Sequence, residues 1–350
     1  MKKSFLITGG SGFIGSQAVR SLVSAGNIVH NFDKLTYASS QESLASISSS
    51  NYKFIKGDII NRKEVKNTIE FLKPDYILNF AAESHVDRSI DSPDDFINTN
   101  IFGTYSLLNE ALFYYNNLKG SKKDNFRFIH ISTDEVYGSL DFNEESFDEE
   151  SNYNPNSPYS ASKASSDLLV RSWFKTYKLP TIVTHSSNNY GPWQFPEKLI
   201  PLTVANALKG SPIDVYGNGK NIRDWIFVND NVDAIIELVV NGKPGEKYNI
   251  GSNNEISNID MVKTICKILD EIIPLHNSSN YSDLITFVSD RPGHDKRYSL
   301  NTNKILKETN WSPKITFNEG LRTSIDWMIE NKEWLFKKSK NHKRIGLKNK

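Results

Sequence analysis

A hydroxyl, two adjacent carboxylates, a phenol and an ammonium fall within some thirty residues of one another. They lie in Ser132-Thr133-Asp134-Glu135-Val136-Tyr137-Gly138 and Tyr159-Ser160-Ala161-Ser162-Lys163. Tyr159 and Lys163 stand four apart, which puts them on one face of a helix. A cation beside a phenol stabilises the phenolate, so Tyr159 is expected to serve as a base near neutral pH. Asp134 and Glu135 can divide the work of acid and base if their surroundings separate their proton affinities. Each feature alone has a plainer reading. Asp-Glu after a strand is a common cap and solvated turn, and Tyr-x-x-x-Lys arises by chance in many helices. Their order, behind a dinucleotide fingerprint, makes catalysis the expectation.

Those groups need a scaffold. The apolar run Phe126-Arg-Phe-Ile-His-Ile131 reads as a strand. Ser132 to Glu135 then sit at its C-terminal end, where ligands bind in an open parallel sheet. The chain opens on another short strand, residues 3–8, followed at once by Gly9-Gly10-Ser11-Gly12-Phe13-Ile14-Gly15. Glycines at 9, 12 and 15 permit a tight turn, close approach to a pyrophosphate and close helix packing. A helix beginning near Gly12 aims its first N–H groups at phosphate. A second strand, Ile28-Val-His-Asn-Phe32, ends in Asp33, about 20 residues past the glycines, where an acid holds a ribose 2′-hydroxyl. That acid would repel a 2′-phosphate, so NAD is the expected cofactor, with Lys34 next door the one argument for NADP.

Strands are expected at 3–8, 28–32, 53–57, 75–80, 126–132 and 181–187, and helices near 12–25, 61–72, 93–118 and 158–178. This alternation gives an α/β fold, a Rossmann-type doubly wound parallel sheet. After Pro192 the prolines at 196, 201 and 212 break the pattern. A smaller mixed α/β substrate-binding region is expected from about 190. The chain is expected to re-enter the main sheet near Trp225-Ile-Phe-Val228, before a helix over 231–240.

The 350 residues are ordinary for a globular protein, with 38% hydrophobic and 24% charged residues. A formal net charge of +1 gives no reason to expect nucleic acid or an anionic membrane as partner. The single cysteine, Cys266, excludes an internal disulfide and reads as a core residue. No apolar run reaches the length of a membrane span, and strand one follows the N-terminus directly, so a cytoplasmic location is expected. His85 has no second ligand at metal spacing, so no metal is expected.

Longer strings carry a family resemblance. They are Asp33-Lys-Leu-Thr-Tyr-Ala38, Ala81-Ala-Glu-Ser-His-Val-Asp-Arg-Ser89, Ser132 to Gly138 and Ser187-Asn-Asn-Tyr-Gly-Pro192. To these add Gln194-Phe-Pro-Glu-Lys-Leu-Ile-Pro201, Arg223-Asp-Trp225 and Asp290-Arg-Pro-Gly-His-Asp295. From residue 4 to about 330 the chain resembles the nucleotide-sugar 4,6-dehydratases, extended members of the short-chain dehydrogenase/reductase family. Related epimerases and decarboxylases keep the Tyr and Lys but usually have small or hydroxyl residues at the positions of Asp134 and Glu135.

The resemblance implies roles. Tyr159 takes the sugar O4 proton while C4 passes hydride to NAD, Thr133 hydrogen-bonds O4, and Lys163 holds the nicotinamide ribose. Glu135 removes the C5 proton, Asp134 protonates the departing 6-hydroxyl, and hydride returns to C6. For NAD it implies Gly9, Gly12, Phe13, Ile14, Gly15, Asp33, Lys34, Leu35, Thr36, Asp58, Ile59, Ala81, Ala82, Ser84, Thr99, Tyr159, Lys163 and Asn189. For the nucleotide sugar it implies Ser84, Thr133, Asn188, Glu197, Lys198, Leu199, Tyr216, Arg223, Asn258, Arg291 and His294. The two arginines also have a physical warrant, because a diphosphate suits forked cationic donors. The expected substrate is dTDP-glucose, with UDP-glucose or another nucleotide sugar as the alternative and a non-catalytic NAD-binding protein as the remaining one.

The resemblance further implies a homodimer formed through the helices near 93–118 and 159–178. Residues 1–189 form the cofactor-binding domain, with the chain returning near 222–245. Residues 190–330 are expected to be mainly nucleotide-sugar-binding and 331–350 a basic C-terminal tail, frayed and solvated from Lys337 onward. Ser39 and Ser252 stand where the family commonly has glycine, and Trp193 where it has tyrosine.

Overall fold

Residues 2–275 and 279–340 are described by the computed structural model. The first strands are β1 (Ser4–Thr8), β2 (Ile28–Asp33), β3 (Tyr52–Lys56), β4 (Tyr76–Asn79), β5 (Arg127–Thr133), β6 (Thr181–Ser186) and β7 (Asn188–Tyr190). Then come β8 (Ile213–Tyr216), β9 (Ile222–Phe227), β10 (Lys247–Ile250), β11 (Glu255–Ser257) and β12 (Ile285–Val288). A seven-stranded sheet runs in the order β10-β6-β5-β4-β1-β2-β3 with parallel pairings. β1 lies between β2 and β4, so the strand order reverses there and the connections diverge to opposite faces. That divergence opens a crevice at the carboxyl ends of β1 and β4. Helices Phe13–Ser24 and Val228–Asn241 pack on one face through Ala18, Val19, Leu22, Val232, Ile235 and Leu238.

A separate core lies among later residues. Ile200, Val204, Met261, Ile265, Cys266 and Leu321 bury against β8, β9 and the aromatic Tyr190. Two small sheets accompany it, β11-β9-β7 and β12-β8. Cys266 is a buried free thiol there.

Three elements differ from expectation. β9, which carries Trp225 to Phe227, joins the small sheet, and the strand that enters the main sheet is β10. Alternation could not separate the two, because both are short and buried. The expected helix over 93–118 is divided into Pro93–Phe96, a π-helical stretch Ile97–Gly103, and Thr104–Asn117. Gly103 permits the close approach there, since a Cβ would lie 2.5 Å from Ile59 Cδ1. Lastly, Lys332–Ser339 is a helix, not a solvated tail. Its Leu335 is fully buried, and Trp334 packs edge-on against Trp193 and Trp327 with centroids 5.4 Å away in both pairs. The basic residues outweigh these apolar ones in composition, which hid the docking face. The remaining tail, 341–350, lies outside the described residues.

The Trp334 indole also donates to Ser40 Oγ at 3.4 Å, so this helix touches both parts of the molecule. Trp334→Ala should lower stability by about 2 kcal/mol, the scale of a half-buried aromatic truncation. Thermal or urea unfolding checks it.

Candidate active site

β5 delivers Thr133 to the sheet edge and the chain turns at once into a 3₁₀ turn, Asp134–Tyr137. Thr133 Oγ1 accepts from the Glu135 N–H at 3.3 Å and donates to Asp134 Oδ1 at 3.2 Å. Gly138, with φ +90, ends the turn against Asn154, whose carbonyl oxygen would lie 2.2 Å from a Cβ. The helix Pro158–Tyr177 starts from a Ser157/Ser160 capping box with Pro158 in the first turn. Tyr159 is thereby fixed at the helix start, edge-on to Phe96. One turn on, Lys163 Nζ donates to Ile131 O at 2.7 Å.

Beneath Lys163 lies a buried polar floor that sequence reasoning missed. His130 Nε2 stands 3.5 Å from Lys163 Nζ and 3.4 Å from Asp167 Oδ1. Asp167 Oδ2 accepts from Ser132 Oγ at 2.8 Å and lies 3.2 Å from His185 Nε2. The available signal was spacing, since Asp167 is one helical turn past Lys163.

The two carboxyls differ as acid and base should. Burial, then the Glu135 charge, holds the Asp134 carboxyl well above the usual range, and its Oδ2 is buried without a hydrogen-bond partner. Burial also raises Glu135, but Arg291, Arg223 and Lys198 pull it back toward the carboxylate. The expected depression of the Tyr159 phenol is absent. Burial raises it, as do Glu135 and Asp134, while Lys163 is committed to Ile131 O. Burial lowers Lys163 to about 8, against the pull of Asp167.

All the site residues named from the sequence except Leu35 line one cleft of about 650 Å³. At its cofactor end, Gly9 has φ +70 and a Cβ there would lie 2.6 Å from Ala81 N, so glycine lets the first loop meet the chain leaving β4. The helix Phe13–Ser24 has no side-chain cap and no acid in its first turn, which leaves its N–H groups for an anion. Asp33 is buried and accepts from Ser11 N at 3.0 Å and Leu35 N at 2.7 Å. Leu35 therefore shapes the site through its backbone, at φ +61. Lys34 Nζ is 3.7 Å from Asp58 Oδ2 and donates to Thr99 Oγ1 at 3.4 Å, so its charge already faces a partner in the protein. These donors and acceptors fit NAD.

The three departures have structural roles. Ser39 Oγ donates to Asp33 Oδ1 at 3.1 Å, and Ser252 Oγ donates to Trp225 O at 2.6 Å. Trp193 packs edge-on against Trp334 of the C-terminal helix. Asn100, also missed, ties the chain after β4 to the helix Pro158–Tyr177. Its amide donates to Glu83 O at 3.0 Å and Ser162 Oγ at 2.8 Å. Its oxygen accepts from Glu83 N at 2.9 Å.

Across the cleft, Glu197 Oε1 accepts from Tyr37 OH at 3.2 Å, and Lys198 Nζ donates to Ser84 O at 2.8 Å. Arg223 is buried and donates to Asp295 O at 3.0 Å. His85 caps a short helix, its Nδ1 accepting from Arg88 N at 3.2 Å.

A crevice at a sheet's switch point, with Tyr and Lys one turn apart beside it, defines a dinucleotide-dependent enzyme of the short-chain dehydrogenase/reductase type. The family described as GDP-mannose 4,6 dehydratase matches residues 6–324, and the chain belongs to that family. A dTDP-glucose 4,6-dehydratase of Salmonella typhimurium is 52% identical over 340 residues, 94% of each chain. One from Neisseria meningitidis serogroup B is 51% identical over 336 residues, 95% of each. The crystal structure of DesIV, a dTDP-glucose 4,6-dehydratase from Streptomyces venezuelae with NAD bound, superposes with a TM-score of 0.86 at 39% identity, covering 94% of this chain and 98% of that one.

A carboxyl whose proton affinity is raised on folding destabilises the native state as pH climbs above its unfolded pKa, because the unfolded chain ionises first. Asp134→Asn removes that cost. Its Tm should exceed that of the parent at pH 8, and the difference should vanish as pH falls below about 4, where the unfolded carboxyl is itself protonated. Melting curves at both pH values test this.

Proposed function

We propose that the chain is a dTDP-glucose 4,6-dehydratase, converting dTDP-glucose to dTDP-4-dehydro-6-deoxy-glucose and water. The observation that carries this reading is the pair at the end of β5, Asp134 buried and Glu135 half-buried beside it, differently placed toward Arg223 and Arg291. An elimination needs an acid and a base together; a simple epimerisation does not.

When bound, NAD supplies the hydride acceptor for C4 and the hydride donor for C6. The glycine loop and the helix starting at Phe13 would hold its pyrophosphate, Asp33 its adenosine ribose, and Lys163 its nicotinamide ribose. Asp58 and Ile59 would serve the adenine end, and Ala81, Ala82, Ser84, Thr99 and Asn189 the rest. Tyr159 is the group placed to take the O4 proton, a role in which the positive charge that NAD would bring must offset the burial that raises the phenol, and Thr133 orients that hydroxyl. The ketone acidifies the C5–H, and Glu135, kept toward its charged form by three cations, removes that proton. Asp134, kept neutral by burial, gives its proton to the 6-hydroxyl through the unpartnered Oδ2. Glu135 then returns its proton to C5. Asn188, Glu197, Lys198, Leu199, Tyr216, Arg223, Asn258, Arg291 and His294 surround the nucleotide and diphosphate.

Incubation with dTDP-glucose should give the alkali-induced absorbance of a 4-keto-6-deoxy sugar, with far less from UDP- and GDP-sugars. Turnover of UDP-glucose alone would keep the chemistry and change the substrate. Glu135→Gln should stall after C4 oxidation, so that reduced nicotinamide builds up on the protein, whereas Tyr159→Phe should suppress that signal. Wild-type turnover by Glu135→Gln would remove Glu135 as the base.

The protein acts as a homodimer in the cytoplasm on this reading. Exposed Ile97, Phe102, Tyr105 and Phe113 on the first helical stretch and Leu168 and Tyr177 on the Pro158–Tyr177 helix supply the apolar face. Among the described residues no helix is long and apolar enough to cross a membrane. Light scattering at micromolar concentration should give twice the 39.8 kDa chain mass; a monomer would refute the dimer.

A further inference from the structure

Arg291 lies on an irregular segment between β12 and the isolated bridge at Arg297, with no sheet or helix to fix it. Its own part of the molecule anchors it weakly. Asp290 Oδ1 accepts from the Arg291 N–H at 2.8 Å and lies 2.6 Å from His294 Nδ1, which ties the turn to itself. The guanidinium is held from the opposite wall. Arg291 Nη1 donates to Asp87 Oδ1 at 2.9 Å, and Tyr216 OH donates to Asp87 Oδ2, also at 2.9 Å. One carboxylate thus spends an oxygen on each of two side chains expected at the nucleotide sugar, Arg291 at its diphosphate. Asp87 is only 9% exposed, and the Arg291 side chain is 14% exposed, so the pair is largely out of water.

Asp87 belongs to the short helix Val86–Asp91 that follows the cofactor-lining stretch 81–85. It therefore links the loop beside the nicotinamide to the region gripping the sugar nucleotide. With Nη1 committed to Asp87, Arg291 Nε stays buried with no hydrogen-bond partner, a donor left for an anion in the cleft. A guanidinium can do this because its donors form a rigid fork, so pinning one edge aims the other.

We propose that Asp87 is a positioning residue for the substrate diphosphate, acting through Arg291 and Tyr216. It touches no reacting atom. It aligns the fork of Arg291 before substrate arrives and spares binding the ordering of a mobile cation on an irregular segment. The proposal rests on the dehydratase reading above and adds to it a residue outside the expected site.

The test compares wild type with Asp87→Ala and the nearly isosteric Asp87→Asn, each purified with its NAD content measured. Removing one partner of a buried charge pair at a binding site typically weakens binding severely. Asp87→Ala should therefore raise KM for dTDP-glucose about tenfold or more. kcat should stay within about threefold, because the groups at the reacting carbons are untouched. The inhibition constant of dTDP should rise in parallel with KM, while thymidine, which lacks phosphate, should bind as before. Asp87→Asn keeps one acceptor and should fall between.

An unchanged KM would overturn the proposal, and so would a lower one, which would mean that Asp87 competes with the diphosphate. Loss of NAD from both variants would also overturn it, by moving the role to the cofactor loop. If wild type neither turned over dTDP-glucose nor bound dTDP, the dehydratase reading would fail instead.

Discussion

Burial of charge governs this molecule. Asp134, Lys163, Asp167, Arg223 and Asp224 are all nearly closed to water in one neighbourhood, and none could stay charged there without partners. The fold answers by pairing: Lys163 on the Ile131 carbonyl, Asp167 on His185 and Ser132, Arg223 on the Asp295 carbonyl. Asp134 is answered differently: the neutral Thr133 hydroxyl donates to its Oδ1, and its Oδ2 has no hydrogen-bond partner. It meets the constraint by staying protonated.

The same constraint explains why the site spans two cores. A parallel sheet supplies one open edge, at the reversal of strand order beside β1, and that edge can hold a cofactor and present Thr133, Asp134 and Glu135. It cannot also surround a charged nucleotide. The second core supplies Glu197, Lys198, Tyr216, Arg223 and Arg291 from the far wall. Contacts between the walls run through polar pairs such as Tyr37 with Glu197 and Lys198 with the Ser84 carbonyl. The C-terminal helix adds Trp334, whose indole reaches Ser40. Polar contacts across a cleft let a charged ligand enter by exchanging hydrogen bonds, which a sealed apolar interface would not.

Inside the first core, small side chains carry the precision. Asn100 sits in the π-helical stretch and uses its whole amide to fix Glu83 and Ser162. Ser157 and Ser160 fix the start of the helix bearing Tyr159. These residues touch no ligand, yet they set where the phenol stands relative to the carboxylates. Catalytic geometry tolerates little displacement, so such supports matter as much as the groups they hold.

Local order was legible in the chain itself. Short apolar runs bounded by turn residues located β1 to β6, because a parallel strand buried on both faces reads as nearly continuously apolar. The glycine spacing located the crevice, because only residues without Cβ fit where Gly9 meets Ala81. Asp134, Glu135, Tyr159 and Lys163 could be named because their chemistry is written in residue type and spacing. Tertiary structure alone decided what distance along the chain conceals. It placed β9 in the small sheet and β10 in the large one, since pairing depends on neighbours remote in sequence. It buried Tyr159 so deeply that its phenol is raised, not lowered, and turned Lys163 toward a carbonyl. It set Asp87 opposite Arg291, 204 residues away, where no periodicity could show it. Sequence fixes which groups can ionise and which segments can repeat; only packing sets the dielectric around each group and the partner it meets.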